Sequence, residues 1–292
     1  MATASGPDTQ EAQSNSTGRI GLPGGLELTY VQLFLLAAIL VYAFAVPGDL
    51  KYKLDALGFG VCHQIPTHSF YIDEHQLPLC SRCTGIYLGA FSVLALLAVL
   101  RPRAGRFPVG YMVAIFAVFF ATMVLDGINS TLQAMGSGFW DSTNLLRIFT
   151  GTLAGVSVGF IFYPVFNLSV WHRDISQRKR VIERPIELVG YMLAAGLLVA
   201  LVISGGDWLY YPLSFLSILG MVTLLTMANA ILVLIFSRRE GAARTFSAIL
   251  TPILVGVLIT LVELTLLVWF RSSLAPYLAN NNLDIPLTPG LP

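Results

Sequence analysis

The chain has 292 residues, of which 55% are hydrophobic and only 11% charged, with a mean hydropathy of +0.74. Soluble domains carry about 25% charged residues, so a water-soluble globule of this size is excluded and an all-α polytopic transmembrane helix bundle is expected. The net charge of +1 leaves no electrostatic footprint for nucleic acid; the bilayer is the expected partner, and the cell membrane the expected location.

Residues 1–27 are rich in Gly, Ser, Thr, Gln and Asn. No cleavable signal of the usual form is expected there, and the stretch reads as a disordered tail. A helix crossing a hydrocarbon core of about 30 Å needs roughly 20 apolar residues. Seven segments come close: Leu28–Val46, Thr84–Leu100, Pro108–Leu125, Leu145–Leu168, Ile186–Ser204, Leu213–Phe236 and Phe246–Phe270. A six-span alternative would lay the second of these in the interface. The bundle is thus expected over residues 28–271, with a flexible C-terminal tail over 272–292.

Lys and Arg concentrate in cytoplasmic loops. Arg19, Arg101, Arg103, Arg106, Arg173, Arg178, Lys179, Arg180, Arg184, Arg238, Arg239 and Arg244 are twelve of the 17 cations. They fall before span one and after spans two, four and six. Seven spans therefore put the N-terminus in the cytoplasm and the loop 47–83 on the extracytoplasmic side. That loop holds all three cysteines and three of the four histidines.

Within it, Cys80 and Cys83 form a Cys-x-x-Cys pair, able to share a metal or to cycle as a disulfide. Cys62 adds a third soft ligand, and His63 or His68 a fourth, which is the set of a tetrahedral zinc site. His75 is a further imidazole in reach. Pro78 before the pair and an apolar run after it place both cysteines near a helix N-terminus, where backbone N–H groups and the neighbouring Arg82 favour thiolates. Hence zinc binding is the first reading and a membrane thiol-disulfide or quinone oxidoreductase the second, with structural thiols as the plain alternative.

Gly85 and Gly89 in span two, and Gly151, Gly155 and Gly159 in span four, repeat at four-residue spacing. Small residues let helices approach closely in lipid; packing within the chain is the simpler use of these faces, and homodimerisation the other. Asp126 ends span three. Asp141, Asn144 and Arg147 recur at three-residue spacing near the start of span four, and Glu263 lies inside span seven. Ionisable groups at such depth need partners or a wet cavity. Asp126, Asp141, Arg147 and Glu263 are accordingly candidates for acid–base chemistry or an ion path. The structural alternative pairs Arg147 with Asp126 or Glu263 and puts Asp141 near a helix N-cap. A transporter or channel using Glu263 and Asp126 is the third functional reading, and whether the protein is an enzyme stays open. No Walker loop, Gly-x-Ser-x-Gly or His-Glu-x-x-His occurs, which argues against nucleotide-driven pumps and proteases of those types.

The run Cys62-His63-Gln64, then His68-Ser69-Phe70, then Pro78-Leu79-Cys80-Ser81-Arg82-Cys83-Thr84-Gly85-Ile86-Tyr87 resembles the signature of a prokaryotic membrane family, domain of unknown function 2085. The resemblance covers residues 62–87 and extends toward span four. It implies His63 over His68 as the fourth ligand and carries no activity with it.

Overall fold

The computed structural model describes residues 19–22, 26–45, 47–176 and 178–280. It is an all-α polytopic bundle. Six helices are long and apolar enough to cross a membrane: α3 (Ser81–Leu100), α4 (Gly110–Ala134), α5 (Asn144–Val170), α7 (Pro185–Ser204), α8 (Tyr210–Phe236) and α9 (Phe246–Asn280). α6 (Arg173–Ser176) is a single turn between α5 and α7. Span two, the segment that the six-span alternative would lay in the interface, is α3, one of the long helices.

The first span departs from expectation. α1 (Tyr30–Ala45) and α2 (Leu50–Val61) are long and apolar enough to cross a membrane only as a pair, bent by 109°. The break has a sequence cause. Pro47 lacks a backbone donor, Gly48 takes φ +104°, and Asp49 caps α2 by accepting from Tyr52 N–H at 2.8 Å. α1 lies along α9 in the same direction: Gln32 Nε2 donates to Ser247 O at 2.9 Å, and further along Tyr42 donates to Leu261 O at 3.4 Å.

Part of the expected N-terminal tail is ordered as a two-stranded antiparallel hairpin, β1 (Arg19–Leu22) with β2 (Leu26–Thr29). The rest of that tail lies outside the described residues. At the other end α9 continues to Asn280, past the expected stop at Phe270; residues 281–292 lie outside the described residues.

The glycine faces meet one another inside the chain. A Cβ on Gly155 would stand 2.0 Å from Ile86 O, one on Gly85 2.3 Å from Ile148 O, and one on Gly151 2.3 Å from Arg82 O. α3 and α5 therefore touch backbone to backbone, as small-residue faces permit in lipid. Around this seam a core of Val93, Leu97, Met112, Phe116, Val156, Phe160 and Ala195 joins α3, α4, α5 and α7, with Phe116 and Phe160 stacked at 4.9 Å.

The loops sort to two ends. One gathers the arginine-rich connections: Gly105 N–H donates to Ser176 O at 2.7 Å and His172 N–H to Ala243 O at 2.9 Å. The other gathers α2, the cysteines, a small hairpin of β3 (Tyr71–Ile72) and β4 (His75–Gln76), and the first turns of α3, α5 and α8.

Candidate metal centre

Cys62 ends α2, its own N–H donating to Gly58 O at 2.9 Å. Eighteen residues later Cys80 is the N-cap of α3, its extended φ/ψ placing Cys83 one turn into the helix. The return of the chain is held by Gln64, whose Nε2 donates to Asp55 O at 2.8 Å and Pro78 O at 2.7 Å. Gln64 itself adopts φ +50°, and Gln76 Nε2 donates to its carbonyl at 2.8 Å. Close approach also depends on Gly58, where a Cβ would stand 2.2 Å from Pro78 O. From the far end of the chain Arg271 lies 3.9 Å over the Phe59 ring and donates to Cys62 O at 2.7 Å.

The result is a three-sulfur cluster. The Sγ atoms of Cys62, Cys80 and Cys83 lie within 4.8 Å of one another, and none is in a disulfide. Cys62 is 1% exposed, in an apolar wall of Leu54, Leu79, Ile218, Met221 and Leu264. Cys62 Sγ accepts from Cys80 N–H at 3.2 Å and Gln64 N–H at 3.5 Å. Such N–H groups are the outer partners that orient and stabilise a ligating thiolate.

The electrostatics follow from crowding three thiols together. The Cys80 thiol is held well below its usual range, chiefly by the hydrogen bond it receives from Cys62. Cys62 is pushed up to about 11, chiefly because its S–H is engaged by Cys80. One negative charge is favoured and a second resisted. A divalent cation among the sulfurs removes that conflict, because it favours the ionised form of every ligand.

No histidine nitrogen or carboxylate oxygen shares the group among the described residues. His63, next to Cys62, is exposed. His68 closes a short 3₁₀ turn, Pro66–His68, and is half-buried; burial and then Arg147 hold its imidazole below its ordinary value. His75 packs edge-on against Tyr210 at 5.3 Å.

The acidic and basic candidates separate. Asp126 is buried and pairs with Arg82, at 2.5 Å, rather than with Arg147. It also accepts from Ser142 Oγ at 2.8 Å. Arg147 donates instead to Asn144 Oδ1 at 3.1 Å and Ser130 Oγ at 3.0 Å. Asp141 is exposed and accepts from Gln133 at 3.0 Å; the N-cap of α5 is Thr143, which accepts from Leu146 N–H. Glu263 also pairs elsewhere than expected. Its neighbour Leu264 forms part of the cysteine wall, but its own carboxylate accepts from Asn229 at 2.7 Å, farther along α8 than Met221.

Sequence reasoning did not single out Gln64 or Arg271, and it read Arg82 only as positive charge beside the thiols. The left-handed backbone at Gln64 has no local signature. Arg271, the only Lys or Arg after the last apolar run, was the available signal for a side chain reaching back to the cluster.

A model of the family described as "Predicted membrane protein (DUF2085)" matches residues 62–161. An uncharacterized protein of Methanothermobacter thermautotrophicus is 37% identical over 101 residues, covering 35% of this chain and 83% of the relative. An uncharacterized protein of Methanocaldococcus jannaschii is 29% identical over 142 residues, covering 46% of this chain and 86% of the relative. No solved structure matches. The matched residues run from Cys62 through α3 and α4 into α5, which takes in the three cysteines, Arg82, Asp126 and Arg147. This chain is a member of the DUF2085 family of membrane proteins.

Proposed function

We propose that the protein is a membrane metalloprotein that binds zinc through Cys62, Cys80 and Cys83, with His63 as the fourth ligand and His68 its alternative. The observation that carries this reading is the convergence of three unpaired sulfurs, from the end of α2 and the start of α3, in a buried apolar wall. Thiolate sets favour zinc, copper(I) or iron–sulfur clusters, and three cysteines with one imidazole form a common structural zinc site. Bound there, zinc ties α2 to α3 and fixes the loop between them. The excess of Lys and Arg at the opposite end supports an extracytoplasmic position for the site and a cytoplasmic N-terminus.

The test is metal content by plasma mass spectrometry on detergent-purified protein, with a count of free thiols after denaturation in chelator. One zinc per chain and three reduced thiols are expected. Cys80→Ser should lose the metal, and His63→Ala should lose more of it than His68→Ala. Absence of metal together with a single free thiol would sink this reading. It would favour thiol-disulfide exchange instead, in which the low-lying Cys80 thiol at the N-cap of α3 is the attacking group.

A further inference from the structure

Two arginines stand where helices disfavour them. Arg82 is the second residue of α3 and Arg147 the fourth of α5. The first turn of a helix presents unpaired N–H groups and the positive end of the dipole, so anions belong there and cations do not. These two helices begin at the same end and run side by side, so close that a Cβ on Gly151 would meet Arg82 O at 2.3 Å. Two helix starts and two guanidinium groups therefore gather in one place.

One carboxylate answers them. Asp126 takes Arg82 and the Ser142 hydroxyl. Arg147 is 6% exposed, yet both of its Nη groups donate to neutral oxygens, on Asn144 and Ser130. Among the described residues, the Nε atoms of Arg82 and Arg147 are both buried without a hydrogen-bond partner. Buried charges are ordinarily paired, since desolvating an uncompensated one is costly. The Cys80 thiolate acts on both arginines through space, but no cysteine sulfur is hydrogen-bonded to either guanidinium among the described residues, and Arg82 turns to α4. Of the two guanidinium groups, Arg82 is hydrogen-bonded to a carboxylate, whereas the donors of Arg147 meet no anion among the described residues.

We propose that Arg82 and Arg147, with the first turns of α3 and α5, form a binding site for a carboxylate- or phosphate-type oxoanion carried by a small soluble ligand. A guanidinium offers its donors in a planar fork that matches such oxygens. Asp126 holds the Arg82 fork in place, which leaves Arg147 as the guanidinium whose donors an oxoanion would take. Asn129 secures the covering segment by donating to Trp140 O at 2.7 Å and accepting from Phe139 N–H at 2.8 Å. The site does not require the metal reading and stands if no metal binds.

The test titrates full-length, detergent-purified protein with sodium acetate or inorganic phosphate, against chloride at equal ionic strength, and follows the thermal midpoint. A saturable rise with acetate or phosphate is expected. Arg147→Gln should weaken the response about tenfold or more, the scale of losing hydrogen bonds to a charged group. Arg147→Lys should keep part of it. Both variants should elute as the wild type does and retain its metal content, which separates lost binding from misfolding. Equal responses in wild type and Arg147→Gln, or no saturable response to either anion, would overturn the proposal. So would an anionic phospholipid that copurifies with the wild type and is lost from Arg147→Gln, since the occupant would then be a lipid headgroup.

Discussion

Both ends of this bundle carry arginines, and the two ends use them in opposite ways. At the arginine-rich end the half-buried guanidinium groups have carboxylate, ring or carbonyl partners. Arg101 pairs with Glu183 at 2.9 Å and Glu187 at 3.1 Å. Arg103 sits 4.5 Å over the rings of both Trp171 and Phe246, and Arg180 donates to Phe107 O at 2.8 Å. At the cysteine end Arg82, Arg147 and Arg271 are drawn in among helices and answered by one carboxylate, neutral oxygens and backbone carbonyls. Cations of the first kind anchor a bundle in its interface. Cations of the second kind cost free energy to place.

The sharpest way to test this contrast is Asp126→Ala. It removes the carboxylate that pairs with Arg82, and breaking a buried pair from one side costs about 3–5 kcal/mol. The expected outcome is a large drop in thermal midpoint in detergent, partly restored by pairing it with Arg82→Met. If Asp126→Ala melts like the wild type, the buried charges at this end are compensated by some other group and the contrast fails.

Next in size is the seam that holds the cysteine end together. Gly155→Ala puts a Cβ 2.0 Å from Ile86 O, and a backbone carbonyl on a packed helix cannot step aside. Overpacking of this kind costs about 3 kcal/mol. Gly196→Ala in α7, where a Cβ meets nothing within 4 Å, is the control and should leave the midpoint unchanged. Similar losses in both variants would mean that the α3–α5 contact is looser than backbone contact.

These contacts also show what the sequence made legible. The glycine spacing in spans two and four pointed to close helix approach, and α3 and α5 meet along it. The apolar runs gave the six long helices with ends shifted by up to three residues, except that α4 runs nine residues past Leu125 and α9 ten past Phe270, and the three cysteines stood out by residue type alone. The bend after Ala45 was harder to read, because a single Pro-Gly-Asp step turns one apolar run and a charged helix into a 109° corner. The pairing of Asp126 was illegible for a different reason. Arg82 and Arg147 are equivalent partners on paper, and only the packing of α4 against α3 and α5 selects Arg82. Glu263 follows the same logic, since its long side chain can reach toward either end and Asn229 decides.

A proton count sharpens the cysteine side. Cys80 is held below its usual range and brings its negative charge to a metal already formed, whereas Cys62, pushed up to about 11, is protonated at neutral pH. Metal uptake must therefore displace the Cys62 proton. Affinity should rise with pH through the neutral range, by about 1.4 kcal/mol per unit for each proton released. Zinc titrations in weakly and strongly buffered solution check this through acidification of the weakly buffered sample. A pH-independent affinity would mean that Cys62 is not a ligand.

The smallest effect belongs to the other end, and its smallness is what gives it value. Arg101→Ala removes the only cation that bridges Glu183 and Glu187 among the described residues. Yet Glu183 is half-exposed, with 53% of its side chain accessible, and Arg101 and Glu187 keep 25% each. Exposed pairs of this sort contribute about 0.5 kcal/mol and are screened by salt. The expected shift in thermal midpoint is close to the error of the measurement at physiological ionic strength, growing slightly when salt is removed. A loss comparable to that of Asp126→Ala would place the arginine-rich end under the same buried-charge regime as the cysteine end. The two ends would then differ in loop composition and not in how they hold charge.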